Sequence, residues 1–281
     1  MKEKIVEALK TIEKMEAINI IYACESGSRA WGFASPDSDY DVRFIYTRRP
    51  EDYFTVFPYR DIIDRNKGDE RTSEYIRSLE KKDIDIVGFD VRKVMLLISR
   101  CNPSVSEWLK SNIIYMEKPQ AWLPIQSLSN ETFKFIAALS HYVTIASSHF
   151  YKNSSSIPFG NKSLKHYLYT IRAILSCQYI ANYQEYPPIE ISEMYSNPRL
   201  FPEGLLDIDL CKITENFVQK KTHSQEVQIV EPNQKLDKNI KLLIDKYIQL
   251  ESKRADAHLS VETYAKINST FFNIVNIWAL L

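Results

Sequence analysis

Apolar positions recur at helical spacing from the start of the chain. Ile5, Leu9, Ile12 and Met15 predict a helix over residues 4–16 with those four side chains inward. The spacing then changes. Ile18 to Cys24 is β-rich and apolar, as in a buried strand, and Glu25-Ser26-Gly27-Ser28 breaks it. Ser35-Pro36-Asp37-Ser38 is turn chemistry, and Asp39 to Thr47 alternates as a second strand. Ile62-Ile63 marks a short strand, 69–82 a charged stretch of weak helical period, and Ile84 to Phe89 a third clear strand. Val91 to Ser99 reads as a helix with Val94, Leu97 and Ile98 inward. Asn102-Pro103 starts another, with Asn at the cap and Pro at the first helical position.

From about residue 118 strand patterns fade. Helical patterns cover 131–151, 161–182, 203–220, 234–253 and 261–280, with loops at Ser154-Ser155-Ser156 and Pro187-Pro188. No internal repeat is present. The pattern predicts a mixed α/β domain over 1–117 followed by an α-helical domain over 118–281.

Composition narrows the class. The chain has 281 residues, 44% of them hydrophobic, which is enough for a real core, and only 6 Gly and 12 Pro. Disordered, collagen-like and disulfide-scaffold proteins are excluded. The 36 basic and 36 acidic residues cancel, so nucleic-acid contact would need a local basic face. Cys24, Cys101, Cys177 and Cys211 are far apart with no Cys-x-x-Cys pair, which fits thiols in a reducing cytosol better than zinc ligands. No apolar run approaches the roughly 20 residues of a membrane span, and the start reads as an amphipathic helix. A soluble cytoplasmic protein with no membrane partner is the expectation.

The informative stretch runs from Gly27 to Asp41. Asp37, Asp39 and Asp41 put three acids in five residues, with no base until Arg43. In a strand Asp39 and Asp41 share a face, where like charges repel. A divalent cation removes that repulsion, and a solvated acidic turn is the plainer alternative. Gly27-Ser28 lies between a strand and a segment, Arg29 to Phe33, that could begin a helix. Glycine allows close backbone approach to a phosphate and the Ser28 hydroxyl can donate to it; an ordinary turn capped by Ser28 explains the pair equally. Jointly, the strand, Gly-Ser, ten residues and Asp-x-Asp place a phosphate cradle beside a metal pair, as nucleotidyl transfer requires.

A third acid belongs on a neighbouring strand, and Asp83-Ile84-Asp85-Ile86-Val87 offers two. An acid within an apolar strand is costly unless paired or metal-linked. Asp85 lies deeper and is preferred, where it could also accept the acceptor's proton; Asp83 is the alternative. Asp90, just before a helix, reads as an N-cap. Farther on, Leu164, Leu168, Ile171 and Leu175 form one stripe of a helix, and Lys162, Lys165, Tyr169 and Arg172 a separate polar stripe. That second stripe is either a solvated face or a cationic, aromatic cleft wall. His141 reads equally as core or cleft. Glu107 and Trp108 read as packing residues. Arg29 and Arg43 can touch phosphates, or Arg43 can neutralise the acids. Arg48-Arg49 reads as a solvated loop.

Gly-Ser followed by Asp-x-Asp resembles the signature of the DNA polymerase β-like nucleotidyltransferase superfamily. Within it the sequence is similar to the bacterial and phage YcgL/RlaP-type predicted nucleotidyltransferases. Gly27-Ser28-Arg29-Ala30-Trp31-Gly32 and Ser38-Asp39-Tyr40-Asp41-Val42-Arg43 look like that family's first block, and Asp85 to Lys93 like its second. Asn102-Pro103-Ser104 with Glu107-Trp108-Leu109 and Ile114-Tyr115 resembles the third; His141-Tyr142, and Lys162 to Tyr169 with Arg172, resemble blocks of the helical half. The matching blocks run from about residue 20 to 188. The stretch 64–82 looks longer and more charged than in the family, and the last 30 residues match less closely.

The resemblance implies an α+β nucleotidyltransferase domain followed by a helical domain. It implies two Mg²⁺ ions (Mn²⁺ as a substitute) on Asp39, Asp41 and Asp85. An NTP such as ATP would be held by Gly27, Ser28, Arg29, Lys165, Tyr169 and Arg172. The implied acceptor is an RNA end, tRNA included, in RNA repair. A protein hydroxyl, as in AMP-transferring antitoxin relatives, and a non-catalytic nucleotide- or RNA-binding module are the alternatives.

Overall fold

Ile5, Ala8, Leu9 and Ile12 are the buried stripe of the first helix, α1 (Lys2–Glu16), while Met15 is 40% exposed and lies outside it. The computed structural model describes residues 1–64, 84–151, 162–201, 206, 208–223, 229–231, 233–253, 255 and 258–278. The charged stretch 69–82, Asp83 and Ser154-Ser155-Ser156 lie outside the described residues.

After α1 the chain forms β1 (Asn19–Ser26), the single turn α2 (Gly27–Ala30), β2 (Tyr40–Thr47), a 3₁₀ turn (Pro50–Phe54), β3 (Ile62–Asp64) and β4 (Ile84–Asp90). Helices α3 (Val91–Ser99) and α4 (Pro103–Leu109), strand β5 (Ile114–Glu117) and α5 (Pro119–Glu131) follow. Among the described residues the remaining elements are helices apart from a two-residue ladder of β6 (Lys162–Ser163) with β7 (Ile229–Val230). Its helices are α6 (Phe135–Tyr151), α7 (Leu164–Tyr183), α8 (Ile191–Tyr195), α9 (Leu210–Thr222), α10 (Gln234–Ser252) and α11 (Val261–Asn276).

The five strands order as β3-β4-β2-β1-β5. β2 and β4 run parallel and the other neighbours antiparallel, so the sheet is mixed and the fold is α+β. Strand periodicity gives β2 two faces. Val42, Phe44 and Tyr46 pack with Ile84 and Ile86 against α1. On the other face Ile45 packs with α3, α4, α5 and α11 through Val94, Ile98, Val105, Trp108, Ile125 and Ile274.

Two local features fix how β4 enters this sheet. Gly88 stands opposite Phe44, whose ring occupies the place a Cβ would take: a methyl there would lie 2.1 Å from Phe44 Cζ. Gly88→Ala is expected to cost roughly 1–3 kcal/mol through overpacking, read as a lowered urea midpoint at unchanged slope. Asp90 is the N-cap of α3, as its position suggests: its Oδ1 accepts the Arg92 main-chain N–H at 2.8 Å. Its Oδ2 accepts the Tyr53 hydroxyl at 3.2 Å. Burial raises the Asp90 carboxyl to about 6, against the pull of these two bonds and of Arg48 and Arg92.

An aspartate titrates near 3.9 in the unfolded chain, so the folded state favours the protonated form. That contribution is complete below about pH 4 and lost as pH rises through about 6. Asp90→Asn keeps a cap acceptor and removes the titration. The stability advantage of wild type over the variant is therefore expected to shrink by roughly 2–3 kcal/mol between pH 4 and 7 in urea melts.

The chain divides into two compact units. The first comprises Met1–Ala30, Asp39–Thr132 and His258–Leu281; the second comprises Trp31–Ser38 and Phe133–Ala257. The expected boundary at 117/118 falls inside the first unit, which also takes α11. In the second unit α7 is central. Every residue from Thr170 to Gln178 is buried, with α6, α9 and α10 packed around it.

No helix among the described residues is long and apolar enough to cross a membrane.

Candidate active site

Topology gathers the first unit's candidate acids at one end of the sheet. Asp41 is near the start of β2 and Asp85 near the start of β4. The parallel register sets them directly opposite each other. β1 runs the other way, so its last residue, Ser26, pairs with Asp41 and delivers Gly27-Ser28 to the same end. Asp39 precedes β2 by one residue and is exposed. Arg29 Nε donates to the Asp39 carbonyl at 3.0 Å, and the Arg29 guanidinium lies 3.8 Å from the Tyr40 ring centroid. Arg29 thereby ties the Gly-Ser turn to the start of β2.

Two carboxylates on opposite positions of adjoining strands repel. Arg43, two residues after Asp41 on the same face, offsets this. Its Nη2 donates to Asp85 Oδ2 at 2.7 Å and lies 3.5 Å from Asp41 Oδ1. Its Nη1 donates to the carbonyls of Val42 at 3.0 Å and Asp85 at 3.3 Å.

Gly27 sits at φ +61°, in the left-handed region. A Cβ built there would meet Asp41 Oδ2 at 2.0 Å and Cγ at 2.9 Å. The glycine is thus required by the acid itself: its bare α-carbon lets the Asp41 carboxylate lie against the turn. Ser28 follows in the same turn, buried at 7% exposure. This turn is four residues long, shorter than the helix expected from Arg29 onward.

Glu25 is a buried acid beside these residues that sequence reasoning passed over. It is fully buried at the end of β1. Its Oε1 accepts the Asp41 main-chain N–H at 2.8 Å and its Oε2 accepts the Tyr115 hydroxyl from β5. Burial pushes the Glu25 carboxyl up, the two hydrogen bonds pull it back, and the Asp41 charge pushes it further up. Burial and the Glu25 carboxylate likewise push the Tyr115 hydroxyl up, which keeps it a donor. The available signal was the one used for Asp85: an acid closing an otherwise apolar strand.

A family model, RlaP, the RNA repair pathway DNA polymerase beta family, matches residues 1–273. The chain belongs to this family. The match extends beyond the blocks recognised from about 20 to 188, at both ends. The uncharacterized protein YcgL of Bacillus subtilis strain 168 is 35% identical over 234 residues, which cover 82% of this chain and 80% of that protein. No solved structure matches the chain. The α+β architecture with its five-stranded mixed sheet accords with the polymerase β-like nucleotidyltransferase fold.

In this RlaP-family chain the oxygen-only pair of Asp41 and Asp85 fits a divalent cation in donor chemistry, since Mg²⁺ commonly takes one or two carboxylates plus water and phosphate oxygens. The Arg43 guanidinium lies between them. Among the described residues no group of three or more His, Cys, Asp and Glu side chains is gathered as metal ligands.

The remaining expected residues of the RlaP-family chain lie in the second unit. Arg172 is 4% exposed, donates through Nη2 to the Ile189 carbonyl at 3.3 Å, and has its guanidinium 4.2 Å from the Trp31 ring centroid. It is enclosed because α7 is buried all round at this level, so neither a solvated nor a cleft-facing stripe runs through it. Tyr169 meets Trp31 and Phe33 edge-on, with centroids 5.0 Å and 5.9 Å away. Lys165 is half-buried, with its Nζ 5.8 Å from the Tyr169 ring centroid. Together Tyr169 and Arg172 seat Trp31, a residue of the Gly27–Gly32 block. His141 is half-buried against Tyr142. In the first unit, Trp108 packs on Phe89 with centroids 4.5 Å apart, as a packing residue should. Arg48 departs from the solvated loop expected for it: it is 6% exposed, 4.7 Å from the Tyr59 ring centroid, and donates to the Glu16 carbonyl at 3.4 Å.

Proposed function

We propose that the chain transfers a nucleoside monophosphate from an NTP to a hydroxyl at an RNA end and releases pyrophosphate. The observation that carries this reading is the contact of the Gly27 α-carbon with the Asp41 carboxylate, directly opposite Asp85. A turn suited to phosphate and a paired-acid site are there one structure. The RNA repair description of the family supports RNA as the acceptor.

In this reading Asp41 and Asp85 hold Mg²⁺, with Asp39 at the exposed approach. The cation, when bound, supplies charge neutralisation at the triphosphate and activation of the acceptor hydroxyl. Ser28 and the backbone of its turn bind phosphate oxygens. Asp85 accepts the proton of the acceptor hydroxyl. The acceptor oxygen forms its bond to the α-phosphorus as the bond from the α-phosphorus to the α–β bridging oxygen breaks, and pyrophosphate leaves with that oxygen and its electron pair. Glu25 and Tyr115 hold the Asp41 backbone in place. Within the second unit Tyr169 and Arg172 hold Trp31.

The test incubates purified protein with Mg²⁺, each α-labelled NTP in turn and total cellular RNA. The expected result is label on RNA with pyrophosphate released in equal amount. Label on protein would move the acceptor to a protein hydroxyl. Free labelled monophosphate with unlabelled RNA would replace transfer by hydrolysis.

A further inference from the structure

Arg43 makes its described contacts within the acid pair. One nitrogen reaches both carboxylates, at 2.7 Å and 3.5 Å, and another takes the Val42 and Asp85 carbonyls. The Arg43 side chain is 19% exposed, and those of Asp41 and Asp85 are 29% and 30%, so the three charges interact with little intervening water. The placement follows from the fold: residues two apart in a strand share a face, and the parallel register puts Asp85 opposite Asp41. A guanidinium does not lose its proton at any ordinary pH. It can leave the carboxylates only by displacement.

We propose that Arg43 is a built-in cation that competes with a divalent metal ion for the Asp41–Asp85 pair and so sets how tightly the metal binds. Without metal it holds the two acids together against their repulsion. When metal enters, the guanidinium swings off the Asp85 carboxylate, and the metal's affinity is reduced by the strength of the contact it replaces. The proposal rests on reading Asp41 and Asp85 as the cation ligands.

Mn²⁺ is the probe, titrated calorimetrically into the whole chain at fixed ionic strength without nucleotide. Arg43→Gln is expected to bind Mn²⁺ at least about tenfold more tightly than wild type, from the loss of the competing positive charge at the acid pair. Arg43→Lys, which keeps the charge, is expected to stay near wild type. In chelator, Arg43→Gln is expected to melt below wild type, and Mn²⁺ is expected to raise its melting temperature by more. Equal or weaker Mn²⁺ binding by Arg43→Gln overturns the proposal. If that variant does not fold, Arg43→Met takes its place with the same expected tightening.

Asp85→Asn separates the two readings. Mn²⁺ binding lost in Asp85→Asn but indifferent to Arg43→Gln overturns the competition and leaves the acid pair as the metal site. Binding unchanged in Asp85→Asn, or absent from wild type and Arg43→Gln alike, overturns both.

Discussion

Asp41→Asn is expected to abolish label transfer to RNA, by at least about a thousandfold, and to leave a cooperative melt within about 1 kcal/mol of wild type. The substitution is nearly isosteric, so the Gly27 contact and the strand register survive. What it removes is one negative charge. Arg43 keeps its 2.7 Å bond to Asp85 and loses only the longer 3.5 Å contact, and the buried Glu25 carboxylate is relieved of a like-charged neighbour. Those two effects on stability oppose each other. Catalysis has no such compensation. A ligand to the catalytic ion contributes on the order of 4 kcal/mol of transition-state stabilisation, and each 1.36 kcal/mol is tenfold in rate. Initial rates of label transfer beside urea melts decide it: transfer above a hundredth of wild type would remove Asp41 from the reaction.

Gly27→Ala is expected to be damaging in both measurements. An alanine at φ +61° costs about 1 kcal/mol in backbone energy alone. Its methyl would also stand 2.0 Å from Asp41 Oδ2, so either the turn or the carboxylate must move. The expected loss of stability is roughly 2–4 kcal/mol. A displaced Asp41 is expected to reduce transfer by about a hundredfold, the usual cost of a misplacement near 1 Å. The pairing with Asp41→Asn is informative. One variant removes the charge and keeps the geometry; the other keeps the charge and moves it. A Gly27→Ala protein that melts and transfers like wild type would show the turn to be an ordinary loop.

How much of this was readable from residues alone depends on how local each cause is. The strand around Ile20 announced itself because burial on both faces leaves an apolar run, and those around Phe44 and Ile86 because one buried face leaves an alternation. The caps at Asp90 and Asn102 were readable because a cap is decided within three residues. Asp85 stood out as an acid where the strand wanted an apolar side chain. β5 did not stand out: its four residues are half-buried or exposed at the sheet edge and carry no alternation. Glu25 was hidden because its partners are Asp41 and Tyr115, 16 and 90 residues away. Arg172 misled for a related reason. Its helix has a polar position at the right spacing, but the helix is surrounded, and enclosure is a property of the packing. Arg48 was misplaced likewise, since nothing in the sequence near it shows Tyr59 folding back against its side chain.

The assignment of Trp31–Ser38 to the helical unit has a consequence for ancestry and engineering. The polypeptide leaves the sheet unit after Ala30, serves the helical unit, and returns at Asp39, all inside its own signature block. A gene cut at a single point therefore cannot separate the halves: a fragment that begins at Phe133 leaves behind the tryptophan that Arg172 and Tyr169 grip. Exchange of the helical half between relatives by simple fusion would sever that grip unless the signature travelled with it. The two halves are expected to be inherited together.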